Sequence, residues 1–229
     1  MVGTIRDISE GNMSKALENQ LKSLVESLRY KTGTHQALDL YIHQHAYLIS
    51  GVYPLDESRL SLIERDDLAP TFAAMSKIIH ELGVQKGITD PIGNLLCEFS
   101  SLAKDSSYFP TPKELGRLMY ALTLGDVTNI SEPITLSEPC AGSGAISLEI
   151  LEEIVNAHPE VDNPLEHVSI FVEELNPLLC KVYFIQLMMK LSHLELILGR
   201  RVAPSKVQIK QMDVISRQEG PVSYLLASL

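Results

Sequence analysis

The feature that most constrains this chain is a change of pattern after Gly125. Before it, apolar residues recur at helical spacing; beyond it, short β-branched runs alternate with amphipathic stretches. Residues 134–138 read as a short strand. Residues 145–156 read as a helix with Ile146, Ile150, Leu151 and Ile154 inward, and 167–174 as a buried strand. Residues 176–194 then read as a second helix and 206–215 as a third strand. Strand, helix, strand, helix, strand predicts a parallel sheet with right-handed crossovers.

The residues ahead of this pattern predict helices. Leu17, Leu21, Leu24, Val25 and Leu28 recur three and four apart and stop at Gly33. Leu38, Tyr41, Ile42, Leu48 and Ile49 mark a helix ending at Gly51. Phe72, Met75, Ile78, Ile79 and Leu82 mark another ending at Gly83, with a loop and a short helix between the two. Asp90-Pro91 is a helix start, Asp capping and Pro in the first turn. Thr111-Pro112-Lys113-Glu114 predicts a capping box, followed by a stripe of Leu115, Leu118, Met119 and Leu122. The expected organisation is a helical N-terminal region over 1–105 and an α/β domain over 106–229.

Composition narrows the function. No apolar run approaches the roughly 20 residues that span a bilayer, and the N-terminus lacks a signal-peptide core. A cytoplasmic protein without a membrane partner is the expectation. Cys97, Cys140 and Cys180 are far apart with no CxxC, so buried free thiols are expected rather than a disulfide framework or a metal site. A net charge of −10 argues against a broad basic face for nucleic acid and leaves room for a local basic channel or a DNA-binding partner.

In a parallel sheet, ligands sit at the carboxyl ends of the strands. Three acids fall there: Glu138 before the Gly142-Ser143-Gly144 turn, Glu174 and Asp213. The glycines let backbone approach a ligand at a helix N-terminus. Glu174 could accept from ribose hydroxyls and Asp213 from an exocyclic amine such as N6 of adenine. Each alone has a plain structural reading as a turn or a solvated acid; together they outline a site for an adenosine-bearing ligand. A dinucleotide fingerprint wants a third Gly where Ser147 stands, and Glu138 would repel a pyrophosphate. S-adenosylmethionine (SAM), which carries both adenosine and an α-ammonium group, suits these residues better than NAD.

The same segments resemble the SAM-dependent N6-adenine DNA methyltransferases, above all the modification subunits of type I-like systems. DPIGNLLCEF (90–99) and YFPTPKELGRLM (108–119) are similar to the family's lead-in; SEPCAGSGA is similar to its first SAM motif, with Glu for the usual Asp. VEELNP (172–177) and QMDVI (211–215) are similar to its ribose and adenine motifs. The likeness covers about 88–215. It implies a Rossmann-like methyltransferase sheet, restriction–modification chemistry, and direct methyl transfer to a flipped adenine without metal. Carried over residue by residue, Thr111, Glu138, Pro139, Ala141, Gly142, Gly144, Glu174 and Asp213 would surround SAM.

The family's catalytic Asn/Asp-Pro-Pro-Tyr/Phe is missing, since the chain has no Pro-Pro pair. The expected fourth strand falls on 222–226, and Ser228 stands about where the catalytic residue would be. The expectation is a sheet incomplete beyond that strand, with DNA held through missing or partner regions. Three explanations stay open: a truncated enzyme, a half-enzyme completed by a partner, or a catalytically inactive SAM-binding or interaction module. An RNA or protein methyltransferase would use the same cofactor half and is a third possibility. An unpaired outer edge on the fourth strand predicts a homo-oligomer or a partner polypeptide along it.

Other features have plainer readings. His43 and His45, two apart on a helix, diverge too far to share a metal. Ser143 lacks the Gly-x-Ser-x-Gly frame of a hydrolase, and Cys140 reads as a small packing residue. Tyr108 and Phe109 would either rim a cofactor or staple the helix that follows.

Overall fold

A computed structural model describes residues 5–84, 90–100, 109–125 and 130–227, with backbone alone for 5–13 and 84. The chain divides into two compact units, residues 1–108 and 109–229. Among the described residues, no helix is long and apolar enough to cross a membrane.

The first unit contains α1 (Ile5–Ser27), α2 (Thr34–Ser50), α3 (Glu57–Ile63), α4 (Ala69–Val84) and α5 (Pro91–Phe99). Its core follows most of the apolar spacing: Leu21 and Val25 of α1 with Leu28 just beyond it, Leu38, Tyr41 and Ile42 of α2, and Met75, Ile79 and Leu82 of α4 are buried, whereas Leu48 and Ile49 at the end of α2, expected in the same stripe, are exposed. The ends are set by local chemistry. Gly51 closes α2 in the left-handed conformation, its N–H donating to the Tyr47 carbonyl. Asp90 caps α5 as expected, its carboxylate accepting from Gly93 N–H at 2.8 Å with Pro91 in the first turn. His43 Nδ1 lies 2.9 Å from the Asp39 carbonyl oxygen, and His45 stacks on Tyr41, so the two rings are engaged separately.

The second unit contains α6 (Lys113–Thr123), β1 (Ile134–Pro139), α7 (Ala145–Ala157), β2 (Val168–Glu174), α8 (Pro177–Leu198), β3 (Lys206–Met212) and β4 (Glu219–Ala227). The protein is therefore α/β: a helical N-terminal region followed by a mixed sheet of order β1-β2-β3-β4. The first three strands are parallel, as the alternation predicts, and β4 is antiparallel to β3. One face of the sheet carries the core. Val168, Ile170 and Val172 of β2 and Val207 and Ile209 of β3 are buried, while the residues between them are half-exposed. Helix α8 packs on β2, β3 and β4 and touches α7, which in turn packs on α6.

Two expectations are corrected here. The fourth strand is not a parallel continuation. Only the residues 213–218 separate β3 from β4, and a parallel crossover needs roughly a dozen or more. The chain instead turns back, with Asp213 N–H donating to Gln218 O and Arg217 N–H to Asp213 O. Tyr224 holds β4 in place by stacking on Phe184 of α8, rings 4.2 Å apart. Ala227 pairs with Lys206 at the amino end of β3, so β4 finishes at the far end of the sheet from Glu174. Ser228 lies outside the described residues.

The second correction concerns α6. It starts at Lys113 with Pro112 in the cap position and no side-chain cap bond, so the Thr111 capping box does not form. Its stripe does not face α7 either: Leu115, Leu118, Met119 and Leu122 are 41%, 52%, 38% and 73% exposed. The helices meet instead at Gly116, where a Cβ would lie 2.6 Å from Glu149 Cβ, and at Arg117, which bonds Glu149 (2.7 Å) and Glu153 (3.1 Å).

Tyr224→Ala tests how β4 is held. Loss of the Phe184 stack and the cavity it leaves should cost about 3 kcal/mol, read as a lowered urea midpoint of the near-ultraviolet circular dichroism transition.

Candidate functional site at the carboxyl ends of the parallel strands

Strand register brings the three acids to one end of the sheet. Glu138 is level with Val172, Pro139 with Glu173, and Glu174 with Gln211, two residues before Asp213. Beyond β1 the chain turns sharply, with Cys140, Gly142 and Gly144 all left-handed, at φ of 59°, 58° and 94°. The loop is fastened to β2 by Ala141 N–H donating to Glu173 O and closed on itself by Gly144 N–H donating to Ala141 O. Ala141 is buried and Pro139 exposed; Thr111 is half-buried, two residues ahead of α6.

Glu174 ties this loop to the next helix. One carboxylate oxygen accepts from Gly142 N–H and the other from Asn176 N–H, both at 2.8 Å. Asn176 then caps α8 by accepting from Leu178 and Leu179 N–H. The Glu174 residue is 8% exposed, yet each oxygen retains a lone pair beyond its backbone bond. That is the acceptor set a pair of neighbouring hydroxyls requires.

Glu138 points back toward α7. Its Oε2 accepts from Ser147 N–H at 3.3 Å, and burial raises its carboxyl above the ordinary glutamate range while the Ser147 bonds pull the other way. Asp213 is half-exposed. Its Oδ1 accepts from Ile215 N–H (2.9 Å) and Ser216 N–H (3.2 Å), and bonds to Ser216 and Ile215 lower its carboxyl below the usual value. Asp213 thus builds the β3–β4 turn, its Oδ1 accepting from both backbone N–H groups and its carboxylate also bonded by the Ser216 side chain. Arg217, left-handed at φ 60°, pairs through both terminal nitrogens with Glu173 at 2.7 Å and fastens that turn to β2.

The thiols are not uniformly buried as expected: Cys180 is buried, Cys97 intermediate and Cys140 exposed in the loop itself. Burial and the neighbouring Glu174 push the Cys180 thiol up to about 12. Phe109 is exposed, and Tyr108 lies outside the described residues. Among the described residues, no group of three or more His, Cys, Asp or Glu could hold a metal ion.

Sequence reasoning missed the floor of this site. Gln186 Nε2 donates to Ser143 O at 2.9 Å, and Tyr183 OH lies 2.8 Å from Ser147 Oγ, both from α8. Their signal was present: two polar-tipped residues three apart in the apolar run 177–187, which puts them on one helix face. Gly144 is required by this floor as well as by its φ, since a Cβ there would lie 2.4 Å from the Tyr183 ring.

The arrangement offers acceptors for hydroxyls at Glu174, an acceptor for an amine at Asp213, and a half-buried carboxyl at Glu138 beside a tight glycine turn. No protein-family model, curated protein or solved structure matches this chain.

Gly144→Ala should destabilise the second unit by about 2–4 kcal/mol, combining left-handed backbone strain with the clash on Tyr183. Chemical denaturation measures it, and Gly199→Ala, left-handed at φ +65° where a Cβ meets nothing within 4 Å, isolates the backbone part.

Proposed function

We propose that the second unit binds SAM, as the cofactor-holding portion of a DNA adenine-N6 methyltransferase of the restriction–modification kind. The observation that carries this reading is the Glu174 carboxylate, held by the first-motif loop and the α8 cap with acceptor capacity to spare. In this reading Glu174 accepts from the ribose hydroxyls, Asp213 from the adenine amine, and Glu138 balances the ammonium of the methionine end. Thr111, Pro139, Ala141, Gly142 and Gly144 line the cradle. The bound cofactor supplies a methyl group on a sulfonium. The chain's residues orient it and match its charge. DNA is met through a partner or a further region, since the net charge of −10 disfavours a broad phosphate-binding surface.

One observation favours a second reading, a SAM-binding or interaction module without catalysis of its own. Strand β4 runs antiparallel and ends beside Lys206, so its carboxyl end, where the resemblance would put the catalytic group, lies away from the acids. Association is part of either reading. Among the described strands, β1 is paired only with β2 and β4 only with β3. The outer edge of β4 is the one along which a second copy or a partner polypeptide is proposed to add.

Three measurements test these points. Calorimetry of the full chain should detect SAM binding that weakens about tenfold or more in Glu174→Ala, the loss expected for charge-assisted hydrogen bonds. Absence of binding, or binding indifferent to that substitution, refutes the site. Labelled SAM with adenine-containing DNA, and with RNA and protein arms, then separates the readings, because methyl incorporation by this chain alone excludes the inactive module. Light scattering is expected to give a mass above one chain; a monomer at high concentration removes the edge-pairing proposal.

A further inference from the structure

Within the first unit, α2, α3 and α4 border a cavity of about 220 Å³ that has no part in the site described above. Helical spacing builds one wall: Tyr41, Gln44, His45 and Leu48, at steps of three, four and seven residues, share a face of α2. Phe72 and Ser76, four apart on α4, contribute to the lining. The Tyr41 ring stacks on His45 with centroids 5.4 Å apart and tilts against Phe72 at 6.1 Å, so the wall is largely aromatic. Leu48, 68% exposed, adds an apolar rim.

Size, polarity and charge limit what such a cavity accepts. At roughly 30 Å³ per water it has room for about seven, far more than one bridging water. It is also smaller than the roughly 300–1,000 Å³ of pockets that take drug-sized ligands. Two polar atoms of the lining residues, Tyr41 Oη and Gln44 Oε1, are buried without a hydrogen-bond partner. The Tyr41 residue is 3% exposed, and Ser76 comes near its hydroxyl without completing a hydrogen bond of ordinary geometry. Burial pushes the Tyr41 hydroxyl up to about 12, with Ser76 pulling the other way, so it keeps its proton and is a donor. Gln44 Oε1, three residues along the same face, is an acceptor. Leaving such groups unmet opposes folding, and a ligand that met both would relieve it. Among the described residues that line the cavity, none is Asp, Glu, Lys or Arg. Burial lowers His45 below the ordinary histidine range and keeps its ring uncharged at neutral pH.

We propose that this cavity binds a small, neutral, planar molecule of one or two fused rings with an amide-type edge. The ligand's carbonyl accepts from Tyr41 O–H and its N–H donates to Gln44 Oε1. Its ring lies against the aromatic wall and covers Leu48. The inference stands on the first unit alone and is independent of the SAM reading.

The test uses the full chain and carbostyril, a neutral bicyclic molecule whose C=O and N–H are adjacent, followed by amide NMR shifts and calorimetry. Shifts should concentrate on α2 and α4, with a dissociation constant below about 1 mM. Tyr41→Phe and Gln44→Met should each weaken binding about threefold to tenfold, the loss expected for one hydrogen bond. N-methylcarbostyril, which lacks the N–H, should bind the unaltered chain more weakly by a similar factor and be indifferent to Gln44→Met. Quinaldate, which is charged, should not bind. Stability separates this role from a structural one. An unpartnered hydroxyl predicts that Tyr41→Phe leaves the urea midpoint unchanged or raises it. A lowered midpoint shows the hydroxyl already bonded within the fold and overturns the site. The proposal is equally overturned by an absence of shifts with carbostyril, by binding that is equal across both variants and the methylated probe, or by quinaldate binding as tightly.

Discussion

The Glu174 carboxylate is the interaction on which the second unit's carboxyl end depends. A carboxylate at 8% exposure would be costly if unpaired, and here backbone N–H groups on both sides offset that cost. One of those groups belongs to the glycine turn after β1 and the other to the residue that caps α8. The bond pattern therefore fixes a loop, a strand end and a helix start together. Cys180 Sγ, 3.5 Å from the Glu174 carbonyl oxygen, lies directly beneath it.

Around this centre the helices carry more polarity than packing alone would call for. Glu152 and Lys190 form a buried pair between α7 and α8, and Glu149 is buried against Arg117 of α6. Such pairs are weak sources of net stability, because desolvation offsets most of their attraction. Their consequence is geometric: each partner tolerates few other arrangements of the helices. With Tyr183 and Gln186 holding the loop from below, the turn that presents Glu138 is braced by contacts that a slide of α8 would break.

Much of the fold was legible in the residues. The stripes through Leu21, Val25 and Leu28 and through Met75, Ile79 and Leu82 became the core of the first unit, since helical spacing and burial are one signal. Gly51 and Asp90 marked helix ends through chemistry that needs no tertiary partner. The parallel core of the sheet was legible because helices of this length between strands leave no other connection. What was not legible had non-local causes. The stripe of α6 looked like a buried face, but Gly116 and Arg117 gave that helix a closer contact with α7. Residues 222–226 looked like one more parallel strand, but the Asp213 turn and the Phe184–Tyr224 stack brought them back against β3.

The sequence by itself determined the element order, the three acids at strand ends and the left-handed glycine turn, because these depend on spacing and local backbone chemistry. Only the tertiary structure decided where each carboxylate points. Glu174 faces the loop, Asp213 gives one oxygen to its own turn, and Glu138 turns back to Ser147. Those directions arise from groups far apart in the chain, above all Tyr183 packed into the space that Gly144 leaves open. Spacing along the sequence carries no record of such an approach.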